Sequence, residues 1–219
     1  MKLAVISDFD DTATKQNVAG LLLERFGGLG AKMIRKQHQA GEITFREYQE
    51  RAFWSTTAPI SEMYKFAAEN AALRPGFSEA AAIALATGTQ FQIVSAGLEF
   101  YISAVLSKHR LGYLPYIAVK AGPETAVGSQ IRYDYTTGRF DCEGDWATCK
   151  CSVVRETQKR GVQVAFAGDG LTSDACASSK ADIVFARGRL LEHCRHAGTE
   201  AIPFEDFEQI AHLIERSAR

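Results

Sequence analysis

The strongest constraint on this chain is an apolar run that ends in a cluster of acids. Leu3-Ala4-Val5-Ile6 leads into Ser7-Asp8-Phe9-Asp10-Asp11-Thr12. A short run of that kind makes a strand buried on both faces of a parallel sheet. In extended backbone Asp8 and Asp10 point to the same side, roughly 6–7 Å apart. They then sit at the strand's carboxyl end, where open α/β sheets bind ligands. Two facing carboxylates raise one another's pKa unless a cation lies between them. The pair therefore belongs either to a solvated acid-rich turn or to a site for a hard divalent ion such as Mg²⁺.

The following residues change periodicity. Val18, Leu21, Leu22 and Phe26 recur at helical spacing, Gly27-Gly28 closes that segment, and a second helix is predicted over Ala31 to Gln39. Thr44 and Glu47 form a capping-box pattern that opens a third helix through Trp54, and a fourth runs from about Ser61 to Ala71. Residues 14–73 thus read as an inserted helical cap, and residues 1–13 with 74–219 as the core. Helix Phe77 to Thr87 leads into the strand Phe91 to Ser95, and the small-residue turn Ser95-Ala96-Gly97 is predicted to open a helix from about Leu98 to His109. Such a turn lets backbone N–H groups approach an anion.

Ile117 to Val119 and Ile131 to Tyr135 are β-rich, with a hairpin turn expected at Thr136-Thr137-Gly138. Lys150 stands near the start of a helix that reaches Arg160. Another buried strand, Val162 to Ala167, runs into Gly168-Asp169-Gly170, with Asp174 at the next helix start. A strand over Ala181 to Ala186, a helix from Leu190 to Ala197 and a last helix bearing Phe207, Ile210, Leu213 and Ile214 complete the pattern. This alternation predicts an α/β fold: a three-layer α/β/α Rossmann-like core with a mostly parallel sheet, plus the inserted cap.

A net charge of -1 without a sustained Lys/Arg patch gives no electrostatic reason for a nucleic-acid or membrane partner. A small solute fits better. The first residues run into acids after a few apolar positions, so a cytoplasmic protein is expected. Nothing in the pattern fixes an oligomeric state. There are five cysteines and no CxxC pair. Cys142, Cys149 and Cys151 form a cluster that could take a soft metal or a redox partner. His193 and His196 make an HxxH around Cys194, a spacing more often found on a solvated helix face.

Taken together, Asp8-Phe9-Asp10-Asp11-Thr12, Val94-Ser95-Ala96-Gly97, Lys150, and Gly168-Asp169-Gly170 with Asp174 resemble the four motifs of the haloacid dehalogenase phosphohydrolase superfamily. The cap between the first and second motifs resembles the phosphoserine-phosphatase-like branch with a C1 cap. One position departs from it: the glutamate that reads the substrate's amino group in phosphoserine phosphatases falls near Asn17 here. The tail, with Ala181 to Ala186, Leu190-Leu191, Cys194 and Pro203 to Phe207, is similar to methionine-salvage phosphatases acting on a methylthio enol phosphate. It is also similar to phosphocholine/phosphoethanolamine phosphatases.

The resemblance implies a Mg²⁺-dependent phosphomonoesterase acting on a small-molecule phosphate ester. Asp8 would be the nucleophile, forming an aspartyl-phosphate, and Asp10 the acid/base. The metal would be held by Asp8, Asp169 and the Asp10 carbonyl. Ser95, Ala96, Gly97 and Lys150 would bind phosphate, with Thr12 steadying the Asp10 loop and Gly170 and Asp174 in support. Asn17 would be the cap's polar contact to substrate. Phosphoserine hydrolysis, phosphotransfer to a sugar hydroxyl and a non-catalytic phosphate-binding role are the alternatives.

Overall fold

The structure, a computed structural model, describes residues 2–135, 147–171 and 173–218. The turn expected at Thr136 to Gly138, and Cys142, lie outside the described residues. The strands are β1 (Leu3–Ser7), β2 (Gln90–Leu98), β3 (Tyr116–Gly122), β4 (Arg132–Asp134), β5 (Gln163–Gly168), β6 (Ile183–Ala186) and β7 (Ile202–Pro203). Among the described residues they form one sheet in the order β4-β3-β2-β1-β5-β6-β7. Neighbouring strands pair in parallel except for β3 and β4.

The helices are α1 (Val18–Phe26), α2 (Gly28–Gln39), α3 (Phe45–Trp54), α4 (Ile60–Asn70) and α5 (Phe77–Thr87). They continue with α6 (Glu99–Lys108), α7 (Lys150–Gln158), α8 (Asp174–Ser178), α9 (Gly188–Ala197) and α10 (Glu208–Ser217). Among the described residues no helix is long and apolar enough to cross a membrane.

Every residue of β1 is buried, because alternate side chains enter two different cores. Leu3 and Val5, with Ala165 and Ala167 of β5, join Phe77, Tyr101 and Ile210 from α5, α6 and α10. Ile6, with Val164 and Phe166, joins Val154, Ala177 and Leu190 from α7, α8 and α9. The expected three-layer α/β/α arrangement with a mostly parallel sheet is what forms.

Helices α1 to α4 leave and rejoin the core at one place. Thr14 bridges Leu73 in antiparallel fashion, Lys15 N donates to Ala72 O at 2.9 Å and Arg74 N donates to Ala13 O at 2.8 Å. The capping box at α3 forms as its residue types require: Glu47 N donates to Thr44 Oγ1 at 3.2 Å and Thr44 N to Glu47 Oε2 at 2.8 Å. The same helix is tied to the β3–β4 side of the sheet. Trp54 Nε1 donates to Ile131 O at 3.0 Å and Tyr135 Oη to Glu50 Oε1 at 2.8 Å. These bonds hold α3 over the carboxyl edge of the sheet.

Two expectations need correction. The strand predicted to end at Ser95 continues through Leu98, with a register shift against β3 between Val94 and Leu98, and α6 begins only at Glu99. The irregularity lets Ser95, Ala96 and Gly97 stay extended without a turn, so they do not form a helix N-terminus. Helix α2 starts at Gly28, directly after α1, because Gly27 serves both as the C-cap of α1 and as the residue preceding α2.

Arg74, between α4 and α5, is 8% exposed. Its Nε donates to Thr12 O at 2.8 Å, Nη2 to Asp11 O at 2.8 Å and Thr14 O at 3.2 Å, and Nη1 to Glu205 O at 3.1 Å. One guanidinium thus collects the carbonyls of Asp11, Thr12 and Thr14, and Arg187 Nη1 also donates to Asp11 O. Arg74→Met is expected to lose about 3 kcal/mol of stability, a typical value for hydrogen bonds from a charged donor. Urea unfolding measures this, and an unchanged midpoint would contradict it.

Candidate active site

Parallel pairing sets β1, β2 and β5 side by side: Ser7, the last residue of β1, is paired with Ile93 and with Ala167, so β5 ends one residue further on and β2 continues past this edge to Leu98. Asp8 N donates to Ala167 O at 2.9 Å, so Asp8 lies just beyond the strand end. The chain leaving β1 goes toward β2 and the chain leaving β5 goes toward β6, in opposite directions along the sheet, which opens a crevice at the ends of β1 and β5. A cavity of about 1000 Å³ occupies that position. Asp8, Asp10, Asn17, Ser95, Ala96, Gly97, Lys150, Asp169, Gly170 and Asp174 all line it. The sequence-predicted residues, scattered over most of the chain, are therefore brought to one cavity; Thr12 touches it through Asp169.

Lys150, the first residue of α7, is buried and bridges two acids. Its Nζ lies 2.5 Å from Asp8 Oδ1 and 2.5 Å from Asp174 Oδ1. The other oxygen of Asp174 accepts from Asp169 N at 3.2 Å and Gly170 N at 2.9 Å. Asp174 is thereby held by two backbone amides on one oxygen and by Lys150 on the other. Thr12 Oγ1 donates to Asp169 Oδ1 at 2.7 Å. The expected role of Thr12 in steadying the Asp10 loop is thus better described as steadying Asp169 from that loop.

Carboxylate oxygens of Asp8, Asp169 and Asp174 lie within 4.8 Å of one another. Burial raises the Asp8 carboxyl well above its usual range, and Asp174 adds to that; Lys150 offsets only part of it. Burial likewise raises Asp169 to about 6, against the hydrogen bond from Thr12. One shared ammonium leaves this trio short of positive charge. An all-carboxylate set in such deficit fits a hard divalent cation, chiefly through Asp8 and Asp169, since both Asp174 oxygens are already engaged.

Asp10 behaves differently from the expectation of two carboxylates facing one another. The extended run does not continue: within Phe9–Ala13 Asp10 lies at φ -63°, ψ 133° and Asp11 turns the chain in the left-handed region at φ 57°. The Asp10 carboxylate turns toward the start of α1. Oδ1 accepts from Val18 N at 2.6 Å and Ala19 N at 3.3 Å, at the start of α1, and Oδ2 accepts from Tyr101 Oη at 2.8 Å. Burial raises its pKa to about 6, while Tyr101 and the two amides pull it down. Asp8 and Asp10 thus occupy separate environments, the condition for unequal roles. The Asp10 side chain lies outside the acid trio.

Tyr101 was not singled out by sequence, because it falls on the apolar stripe of α6. Its only sequence companion is Gly97, whose Cβ, if added, would collide with the Tyr101 hydroxyl and come within 3.0 Å of Asp10 Oδ2. Ser95 Oγ accepts from Gly97 N at 3.0 Å, which engages the expected anion-binding amide and leaves the Ser95 O–H to donate. Asn17 lines the cavity but is also an N-cap: Oδ1 accepts from Gly20 N at 2.7 Å and Nδ2 donates to Asp11 Oδ2 at 3.2 Å. The other candidate clusters lie elsewhere. His193 and His196 are exposed on α9, while Cys149 and Cys151 are buried with Sγ atoms 3.4 Å apart.

Comparison with known proteins adds an independent line. The 2-hydroxy-3-keto-5-methylthiopentenyl-1-phosphate phosphatase of Bacillus cytotoxicus is 26% identical over 223 residues, covering 98% of this chain and 99% of that protein. The bifunctional enzyme MtnB/MtnX of Bacillus licheniformis is 26% identical over 222 residues, covering 99% of this chain, which spans 50% of its length. A solved substrate-bound phosphoserine phosphatase superposes with a TM-score of 0.71 at 17% identity, covering 97% of this chain and 98% of that one. That likeness speaks to the fold. The family model described as haloacid dehalogenase-like hydrolase matches residues 5–178, from β1 to the end of α8. With motifs, fold and that match in agreement over most of its length, the chain belongs to the haloacid dehalogenase-like hydrolase family.

Proposed function

We infer that this protein is a Mg²⁺-dependent phosphomonoesterase that works through an aspartyl-phosphate on Asp8. The observation that carries the reading is the separation of the two motif carboxylates. Asp8 lies against Lys150 at 2.5 Å and Asp10 is held apart by Tyr101 and the start of α1. Phosphate monoesters hydrolyse very slowly in water, so a site must align a nucleophile and neutralise phosphoryl oxygens. Asp8 Oδ forms the bond to phosphorus as the ester oxygen leaves. Asp10, with a pKa of about 6, gives that oxygen its proton. Water then attacks the phosphorus of the acyl phosphate, its proton passes to Asp10, and Asp8 is regenerated. Lys150 and the Ser95 hydroxyl hold the phosphoryl oxygens. A divalent ion held by Asp8 and Asp169, with the Asp10 carbonyl, supplies charge neutralisation when bound. Helices α1 to α4 form the cap over the site and select the leaving group.

The substrate we propose is a small enol phosphate carrying an apolar methylthio end, of the kind named for the Bacillus cytotoxicus relative. Support comes from the cap wall. Phe45 and Tyr48 line the cavity with Phe53 and Leu23, and the His38 ring stacks on Tyr48 with centroids 4.9 Å apart. Thioether sulfur packs well against aromatic edges. Phosphoserine is the second reading, favoured by the shared fold. Against it, Asn17 offers no carboxylate to pair with an ammonium.

Chelation with EDTA is expected to take phosphate release to background and added Mg²⁺ to restore it. Metal-independent turnover of p-nitrophenyl phosphate would contradict the metal assignment. A phosphate-ester panel read by inorganic phosphate tests the class. Turnover of no member would leave a binding module, and transfer of labelled phosphate to a sugar hydroxyl would make it a phosphotransferase.

A further inference from the structure

We propose that Gln49 is the specificity-determining residue of this site, its Oε1 accepting a hydrogen bond from a hydroxyl on the carbon next to the phosphoester. Gln49 lies on α3, is 3% exposed and lines the cavity. Its Nε2 donates to Ala96 O at 2.7 Å. A carbonyl can only accept, so this contact fixes which end of the amide is which. The other end, Oε1, is buried and has no partner among the described residues. Buried amide oxygens ordinarily have a donor, so this one asks for a ligand.

The position narrows what that ligand can be. Ala96 lies between Ser95, the phosphate-binding hydroxyl, and Gly97, so the Gln49 amide borders the phosphate position from the cap side. A phosphate dianion offers only acceptors and cannot satisfy Oε1. The donor must come from the leaving group, within about two bonds of the ester oxygen. An ammonium would call for a carboxylate at this place. A neutral amide oxygen in a cavity that Phe53 and Tyr48 also line is matched by a neutral hydroxyl or enol. The assignment rests on the phosphatase reading for its orientation, with the phosphate against Lys150 and the leaving group toward α3.

The same amide also ties the cap to the core, so a purely structural role for Gln49 must be separable. The experiment compares 2-hydroxypropyl phosphate with n-propyl phosphate, which differ by one hydroxyl. The wild-type protein is expected to favour the hydroxyl compound in kcat/KM by about tenfold, the discrimination one neutral hydrogen bond gives. In Gln49→Met, close in volume but without the acceptor, the ratio should fall to about one. A purely structural latch would lower both substrates by the same factor and keep the ratio. That result, or a wild type with no preference, overturns the proposal, and the wild-type ratio stands even where Gln49→Met fails to fold.

If the wild type hydrolyses neither ester, the phosphatase reading fails on its own. The Gln49 assignment is then decided by binding of the same two compounds to Asp8→Asn and to Asp8→Asn/Gln49→Met, followed by calorimetry. Tighter binding of the hydroxyl compound that vanishes in the double variant supports it. Equal binding, or a preference that survives the second substitution, overturns it.

Discussion

Asp8→Asn is expected to reduce phosphate release by about 10⁴-fold or more while leaving the protein folded, because in the proposed mechanism the Asp8 carboxylate bonds to phosphorus and an amide is a far poorer nucleophile. The stability half of this expectation follows from the site's electrostatics. Burial, then Asp174, holds the Asp8 carboxyl above its usual pKa despite the contact with Lys150. A carboxyl whose folded pKa exceeds its unfolded value binds its proton more tightly when folded. Ionised Asp8 therefore costs stability, and the cost grows as pH rises through that interval. Asparagine imitates the neutral form at similar volume, and Lys150 keeps Asp174 at 2.5 Å. In metal-free buffer at neutral pH, the Tm of Asp8→Asn should equal or exceed that of the wild type. Substantial turnover by the variant would sink the covalent mechanism. A fall in Tm of many degrees would mean that Asp8 is chiefly a structural partner of Lys150.

How much of this was legible beforehand depends on the range over which each residue acts. Buried parallel strands are continuous apolar runs, so Leu3 to Ile6 and Val164 to Ala167 declared themselves. The acids that follow them had to lie at the carboxyl edge. Lys150 stood out only through its resemblance to the third motif of the family, since a lone lysine near a helix start reads as a solvated residue. By contrast, Ser95-Ala96-Gly97 reads as a turn only because small residues usually mark one. Gly97 is not among the positive-φ glycines; it is small so that Tyr101 can reach Asp10. That bond spans 91 positions, the Thr12–Asp169 bond 157 and the Gln49–Ala96 bond 47. Periodicity within one helix marks Tyr101 and Gln49 only as a core aromatic and a half-polar cap residue. Arg74 before Pro75-Gly76 looks like a solvated cation, and only the folded loop reveals that it collects carbonyls from Asp11, Thr12 and Thr14.

Lys150→Met should be the most destabilising single change in the site, because among the described residues this side chain is the one cation shared by two buried acids. Burial by itself would pull the Lys150 pKa down, yet Asp174 and Asp8 reverse that and raise it above its ordinary value. A raised lysine pKa contributes stability in full below the unfolded value, near 10.4, and so in full at pH 7. The raised pKa of Asp8 does not contradict this. One ammonium shared between Asp8 and Asp174, with Asp169 close by, gains more than either acid does. Removing the cation leaves two buried carboxylates facing each other. The expected loss is about 3–5 kcal/mol, as for breaking a buried ion pair from one side. For a chain of this size that is roughly 6–20 °C in Tm. Asp174→Asn added to Lys150→Met should recover part of the loss, because it removes one of the stranded charges. The deficit should also shrink as pH falls through the raised carboxyl range, where Asp169 titrates at about 6 and the acids can take up protons. An unchanged Tm at neutral pH, or a deficit that grows toward acid, would mean that water or a resident cation, rather than Lys150, balances the charge of this site.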